Sequence, residues 1–322
     1  MKQFHYILLI PLIFCCCSNP LENTKKIKRF DRDIKNIIDN YSDSAFIDFE
    51  NNYSNMFSLY YTGVLNGSID SLDSKARIKF ISSYFENDNF RNLYENVESE
   101  FASMEKEEKI LDRVIKRYLK LFPNSYMPDI HTHVSPFGYS IITTDSIISV
   151  SLDNYLGAKY DGYKGIFYNY QLPKKERERI IQDIFKGWLY SKHENSAKSL
   201  IEGMIYEGAV IYTIEYILDD DDYWQIIGYD KEKQNWCNDN EKEIWNAIIR
   251  LNHLYSNNNI VYAKYMNEAP FCAALGKDTP AEIGKWMGYK IVSKYINKYG
   301  INKLEDILNG NINIVEILKL YN

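Results

Sequence analysis

One run of β-branched residues interrupts an otherwise helical pattern and limits the folds open to this 322-residue chain. Residues 141–152 are rich in Ile, Thr and Val, which predicts two short strands that turn at residues 144–146. Apolar residues recur at helical spacing over residues 76–121, and the pattern after residue 174 is almost entirely helical. The sequence therefore predicts a predominantly helical α+β fold, in which a small antiparallel hairpin packs against helices.

The individual helices are predicted from apolar residues spaced three or four positions apart. They cover about 174–191, 196–218, 239–254 and 280–298, with shorter pieces near 303–309 and 312–320. Thr279 and Pro280 are predicted as the N-cap and the first residue of the helix at 280–298. Residues 27–34 alternate in part between apolar and polar side chains, which is compatible with a first strand. We expect residues 34–60 to be weakly helical.

The N-terminal apolar segment indicates where the protein resides. Residues 6–14 are apolar, too short a run to span a bilayer and similar in length to a signal-peptide core. The run ends at Cys15, Cys16 and Cys17 rather than at a small-x-small cleavage site. This pattern resembles a bacterial lipoprotein signal, in which a cysteine thiol receives acyl chains such as palmitate. A short hydrophobic anchor and a fully cleaved signal are the alternatives.

The leader predicts a three-part organisation of the chain. Residues 1–16 are predicted to be a lipoprotein signal peptide, 17–28 a polar tether and 29–322 one globular domain. Cys17 is the favoured lipid-attachment residue, with Cys16 as the alternative, because Ser-Asn-Pro then follows as a polar tether. The lipid would hold the protein at a membrane without a spanning helix. The sequence leaves open which membrane leaflet is used.

Composition and cysteine spacing exclude several classes of function. The formal net charge is −6 and basic residues form no cluster, which argues against binding to nucleic acid phosphates. The 15 glycines against 28 tyrosines argue against a Gly-rich nucleotide-binding fold. Cys237 and Cys272 lie among apolar residues without metal-site spacing, and we expect two buried free thiols. No cofactor is predicted.

Two histidine motifs are candidate metal sites. His131 and His133 alternate on a predicted strand, so both side chains face one side, and Asp129 shares that face. A histidine pair on a half-exposed strand is more often structural than metal-binding. His193-Glu194 begins like the zinc-protease motif H-E-x-x-H, but Ala197 occupies the second histidine position. We therefore predict no catalytic and no metal-binding residues.

Several segments in the same order resemble the gliding-motility lipoprotein GldB family of Bacteroidetes. They are residues 27–31, 151–157, 204–206, 227–229, 240–245, 267–271 and 280–288. The resemblance implies a lipid-anchored protein on the periplasmic side of a membrane or at the cell surface. It further implies a non-catalytic accessory or structural role in gliding motility or its associated secretion machinery, with other envelope proteins as partners.

The family is in turn distantly similar to predicted zincin-like metalloproteases that carry H-E-x-x-H followed by E-G-[LA]. The segment Glu207-Gly208-Ala209 resembles the second motif, and the first would fall on Gln182, Asp183 and Lys186. The resemblance then implies a degenerate zincin-like fold without its metal, with Gln182, Asp183, Lys186 and Glu207 lining a vestigial cleft. The alternative is a zinc-dependent hydrolase or peptidase that uses His131, His133 and carboxylates such as Glu207.

Overall fold

Helices dominate the computed structural model, which describes residues 26–68, 74–220 and 222–321. Cys15, Cys16 and Cys17 therefore lie outside the described residues. The helices in the described ranges are α1 (Phe30–Asp39), α2 (Asp43–Leu59), α3 (Ser74–Tyr84), α4 (Asp88–Glu100), α5 (Glu105–Leu121), α6 (Ile180–Lys192), α7 (Leu200–Leu218), α8 (Tyr223–Ile227), α9 (Lys231–Asp239), α10 (Glu241–Arg250), α11 (Asn259–Met266), α12 (Ile283–Tyr299), α13 (Leu304–Leu308) and α14 (Ile314–Tyr321). None of them is both long and apolar enough to cross a bilayer.

A small three-stranded sheet lies between the two groups of helices along the chain. Strands β2 (Ile141–Thr143) and β3 (Ile147–Ser151) pair antiparallel, which confirms the predicted hairpin. A further strand, β1 (Asp129–His133), pairs parallel with β3 and makes the sheet mixed, in the order β1-β3-β2. The predominantly helical α+β fold is confirmed.

The first strand expected over residues 27–34 is wrong. Only Lys28 makes a bridge, to His131 on β1, and α1 begins two residues later at Phe30. Phe30, Ile34 and Ile37 recur at helical spacing and all three are buried. This spacing places them on one side of a helix, whereas a strand would expose some of them.

Helices α7 and α12 pack closely because glycines replace side chains where they cross. A Cβ atom on Gly288 would lie 1.7 Å from the Met204 carbonyl oxygen, and one on Gly208 would lie 2.1 Å from the Gly288 carbonyl carbon. Gly284 is equally crowded, since its Cβ would meet the Met266 sulfur at 2.4 Å. A side chain larger than that of glycine at any of these three positions would force its neighbour to move.

The start of α12 differs from the prediction. The helix begins at Ile283 with Glu282 as its N-cap residue at φ 58°, so Thr279 and Pro280 are not its first residues. The Thr279 carbonyl instead accepts a hydrogen bond of 2.8 Å from the Cys272 backbone N–H. Cys272 and Cys237 are buried free thiols, as predicted. The short helices α8, α9 and α11 were not predicted.

Candidate functional site

The predicted cleft residues lie on helices α6 and α7. Glu207 of α7 is buried and accepts a hydrogen bond of 2.8 Å from the Tyr190 hydroxyl. Its carboxylate lies 3.9 Å from the Lys285 ammonium of α12. Lys186 of α6 is half-buried near Glu207 and Lys285. Its burial is the main cause that lowers its pKa to about 8, and the positive charge of Lys285 lowers the pKa further.

Lys186 and Glu207 belong to a group of acidic and basic side chains that we call the ionic cluster. Its members are Lys174, Lys186, Glu207, Glu268, Glu282 and Lys285. The Glu282 carboxylate lies 2.7 Å from Lys285 and 2.5 Å from Lys174, and Lys174 also pairs with Glu268 at 2.8 Å. Burial would raise the pKa of Glu282, but the Lys285 and Lys174 cations lower it to about 2. These pairs connect the segment that carries Lys174 to the first turn of α12.

The other two predicted cleft residues have different partners. The side-chain amide of Gln182 is oriented with its oxygen toward Arg179. In this orientation the oxygen accepts hydrogen bonds of 3.1 and 2.7 Å from the Arg179 guanidinium. Asp183 accepts one of 3.0 Å from the Tyr155 hydroxyl. The contacts of the four residues therefore divide between the ionic cluster and separate polar partners.

His131 and His133 lie on β1 as predicted, but both are buried rather than half-exposed. Burial lowers the pKa of His131 to about 4 and that of His133 to about 3. His133 Nδ1 shares a hydrogen bond of 2.8 Å with the Ser149 hydroxyl, while Asp129 is half exposed and pairs with Lys28 at 2.8 Å. Within the described ranges, no group of three or more His, Cys, Asp or Glu is placed to hold a metal ion.

A buried carboxylate was missed by the sequence reasoning. Asp153 follows β3 and accepts hydrogen bonds from the backbone N–H of Ser135 at 3.0 Å and of Phe137 at 2.5 Å. The Ser151 hydroxyl donates to the same carboxylate. Burial raises the pKa of Asp153, and these hydrogen bonds oppose that rise. Asp153 thus fixes the loop that leaves β1.

Asn154 and Lys175 complete this arrangement, which we call the Asp153 network. The Asn154 amide donates to the Gly138 carbonyl at 3.2 Å and accepts from the Lys175 ammonium at 2.7 Å. Lys175 lies 3.9 Å from the centre of the Phe167 ring, and burial lowers its pKa. The segment 151–157 therefore holds residues 135–138 in place.

The loop held by the Asp153 network forms one wall of a cleft of about 780 Å³. Its other walls are the end of α3, the first turns of α4 and the segment 160–166. We call it the Asn–aromatic cleft, lined by Ser83, Tyr84, Asn87, Asn89, Phe90, Asn92, Leu93, Pro136, Phe137, Tyr160, Gly162 and Ile166. A signal was present in the sequence, because Asp153 and Asn154 are polar residues that directly follow a buried strand.

The fold and these sites define an α+β protein with a large apolar core, in which local networks of buried polar groups connect strands, loops and helices. The family model described as gliding motility protein GldB matches residues 17–321, and the chain belongs to this family. No curated protein and no solved structure matches the chain. The more distant similarity to zincin-like proteases gains no support from these comparisons.

Proposed function

We propose that the protein is a lipid-anchored component of the cell envelope with an accessory, non-catalytic role in gliding motility or its associated secretion machinery. The observation that carries the proposal is the family match over residues 17–321, nearly the whole chain after the leader. We expect other envelope proteins as partners.

The anchor is proposed at Cys17, with Cys16 as the alternative. The family match begins at residue 17, and an apolar segment of signal-peptide length precedes the cysteines. Acyl chains on one cysteine bury enough methylene groups to keep a protein at a membrane. In this proposal residues 1–16 are removed, 17–28 form the tether and 29–322 form the domain.

The non-catalytic role is supported by how the candidate chemical groups are used. Glu207 is hydrogen-bonded to Tyr190 and lies beside Lys285, as expected for a structural carboxylate. The buried histidines hold low pKa values inside the sheet, and Asp129 pairs with Lys28 instead of facing them with a free carboxylate. Each of these contacts supports packing and orientation.

Replacing all three cysteines tests the anchor. The full chain with Cys15→Ala, Cys16→Ala and Cys17→Ala should leave the membrane fraction and lose incorporation of an alkyne-labelled palmitate. Ser18→Ala, one residue beyond, is the matched control and should stay membrane-bound and labelled. Unchanged fractionation of the triple variant would contradict lipid anchoring.

The role in motility is tested by deleting the gene in its own cells and restoring it. Cells that lack the protein should lose spreading on agar, and the wild-type chain should restore it. The Lys186→Met and Glu207→Gln variants should restore spreading equally well, because the proposal gives neither residue a catalytic task. Spreading that requires Glu207 in a stably folded protein would favour an enzyme.

Metal analysis of the purified full chain separates the proposal from the zinc-dependent hydrolase. We expect less than about a tenth of an equivalent of zinc, because a functional zinc site needs three or four protein ligands. Stoichiometric zinc that is lost on replacing His131 and His133 would overturn the non-catalytic role.

A further inference from the structure

The Asn–aromatic cleft differs from the rest of the surface in its charge. A quarter of the whole chain is charged, yet none of the described residues that line the cleft carries a charge. Asp88 and Arg91 belong to the same turn of α4 but pair with each other, and Arg91 also donates to the Phe85 carbonyl at 2.7 Å. An ionic ligand would find no opposite charge among these lining residues.

The polar groups of the cleft are side-chain amides. Asn89 and Asn92 are exposed on α4 and line the cleft, and each amide offers two N–H donors and one carbonyl acceptor. The side-chain oxygen Oδ1 of Asn87 caps α4, because it accepts hydrogen bonds from the backbone N–H groups of Asn89 at 2.9 Å and Phe90 at 3.3 Å. The cap does not use the two N–H donors of this amide, and Asn87 is one of the lining residues. Hydroxyl groups, which both donate and accept, match such amides.

Aromatic rings supply the apolar part of the lining. Tyr84, Phe90, Phe137 and Tyr160 contribute to the walls. The C–H face of a pyranose ring stacks on an aromatic ring, while its hydroxyls project sideways to hydrogen-bonding groups. An apolar helix bound in the same place would bury the amides of Asn89 and Asn92 and give them no hydrogen-bond partners. Burying polar groups in this way costs free energy.

The walls are fixed before any ligand arrives. Phe137 adopts φ 62°, a conformation unusual for a large side chain, and its backbone N–H is held by buried Asp153. The Tyr160 ring covers Gly162 so closely that a Cβ there would lie 2.4 Å from it. The Tyr84 hydroxyl is bonded to the Leu65 carbonyl at 3.1 Å. Fixed walls reduce the entropy that binding would otherwise lose.

We propose that the Asn–aromatic cleft binds a neutral oligosaccharide, with Tyr160 and Phe137 stacking on sugar rings and Asn89 and Asn92 hydrogen-bonding to hydroxyls. The volume of about 780 Å³ lies within the range of about 300–1,000 Å³ that is usual for small-molecule sites. This site is independent of the role proposed above, since it uses neither the lipid anchor nor the ionic cluster.

Calorimetric titration of the full chain in detergent tests the proposal. The neutral probes are cellohexaose, maltohexaose, laminarihexaose, mannohexaose and chitohexaose, and hexagalacturonate is the anionic comparison. We expect saturable binding of at least one neutral probe and none of hexagalacturonate. Tyr160→Ala should weaken binding about tenfold or more, since it removes a stacking face.

Exposed positions provide variants that leave the fold intact. Asn89→Ala with Asn92→Ala should weaken binding about three- to tenfold through lost hydrogen bonds. Tyr168→Ala, two residues beyond the segment 160–166, and Asn96→Ala, on α4, alter exposed residues outside the lining and should change the affinity less than about twofold. The proposal is overturned if no neutral probe binds, if only hexagalacturonate binds, or if the lining and control variants have equal affinity.

Discussion

The crossing of α7 and α12 and the region around the Asp153 network stabilise the protein in opposite ways. At the crossing, backbone lies directly on backbone, because Gly208 and Gly288 leave no room for a side chain. Around Asp153, buried polar atoms are satisfied by specific hydrogen bonds to a loop and to Lys175 through Asn154. One region depends on shape and the other on polar complementarity.

The difference indicates which region is suited to recognition. A glycine crossing can only hold two helices together, since it presents no functional group. The polar network instead fixes a loop at the edge of an open cleft, and fixed loops on a scaffold are common positions for binding residues. Substitutions at the crossing should therefore affect folding, and substitutions near the network should also affect the cleft.

The largest effect is expected at the crossing. Gly288→Ala places a methyl group where the Met204 carbonyl oxygen lies, so the helices must separate. We expect a loss of about 3 kcal/mol or more in the free energy of unfolding, measured by urea denaturation. Ser293→Ala, on the same helix, should change it by less than about 0.5 kcal/mol. A Gly288→Ala protein of wild-type stability would show that the crossing is not tightly constrained.

Asp153→Asn should give the next largest effect. The amide keeps one acceptor oxygen but presents N–H groups to backbone donors, which leaves buried groups unsatisfied. We expect a loss of about 2–3 kcal/mol in urea denaturation. Asp145→Asn, at an almost fully exposed carboxylate, is the control and should change stability by less than about 0.5 kcal/mol. Equal stability of the two variants would show that the hydrogen bonds of Asp153 do not stabilise the fold.

The low pKa values of His131 and His133 predict a loss of stability in mild acid. Their pKa is near 6.5 in an unfolded chain but about 4 for His131 and about 3 for His133 in the fold. Between these values the unfolded chain binds more protons, so stability falls as the pH drops below 6.5. From pH 6.5 to pH 5 we expect about 2 kcal/mol per histidine.

Urea denaturation at the two pH values measures this effect. His133→Gln should be less stable at neutral pH and should lose less stability on acidification than the wild type. His253→Gln, which leaves His131 and His133 in place, is the matched control, and the loss of stability attributed to those two residues should persist in it. An identical pH dependence in His133→Gln and the wild type would contradict the burial of His133 as a neutral group.

The smallest effect is expected at Lys186. In the described residues this lysine has no ion pair within 4 Å, whereas Lys285 pairs with Glu282 at 2.7 Å. Lys186→Met should lower stability at pH 7 by no more than about 1 kcal/mol. Lys285→Met should lose about 2 kcal/mol, because Glu282 keeps Lys174 but loses its second cation and Glu207 loses the cation beside it. Similar losses in both variants would show that Lys186 contributes to the ionic cluster as strongly as Lys285.

Lys186 also predicts a dependence on alkaline pH. Its pKa is lowered from 10.5 to about 8, so the unfolded chain binds more protons between these values and stability rises over this range. Lys186→Met should lack that rise, as measured by urea denaturation at pH 8 and pH 10.

The helical core was largely predictable, because apolar spacing alone determines which faces are buried. Ile283, Met287 and Ile291 recur along α12 and are all buried, and the β-branched run correctly predicted the hairpin. The parallel strand β1 was not recognised as part of the sheet, since its pairing with β3 joins segments separated in sequence. Helix α9 was missed because its residues are mostly polar.

The candidate sites were less predictable, because their chemistry depends on long-range contacts. Spacing placed His131 and His133 on one strand correctly. Their burial, however, depends on the rings of Tyr53, in α2, and Tyr60, directly after α2, which pack against the two imidazole rings. The ionic cluster joins Lys174 to Glu282 across 108 residues, which no local pattern shows. The cleft likewise needs four separate segments to meet.

Mass spectrometry of the N-terminal peptide from membrane-purified protein tests the central claim of lipid anchoring most directly. We expect the mature chain to begin at Cys17, or at Cys16, and this cysteine to carry a diacylglyceryl group. A mature chain that begins at Met1, or an unmodified cysteine at both positions, would contradict it.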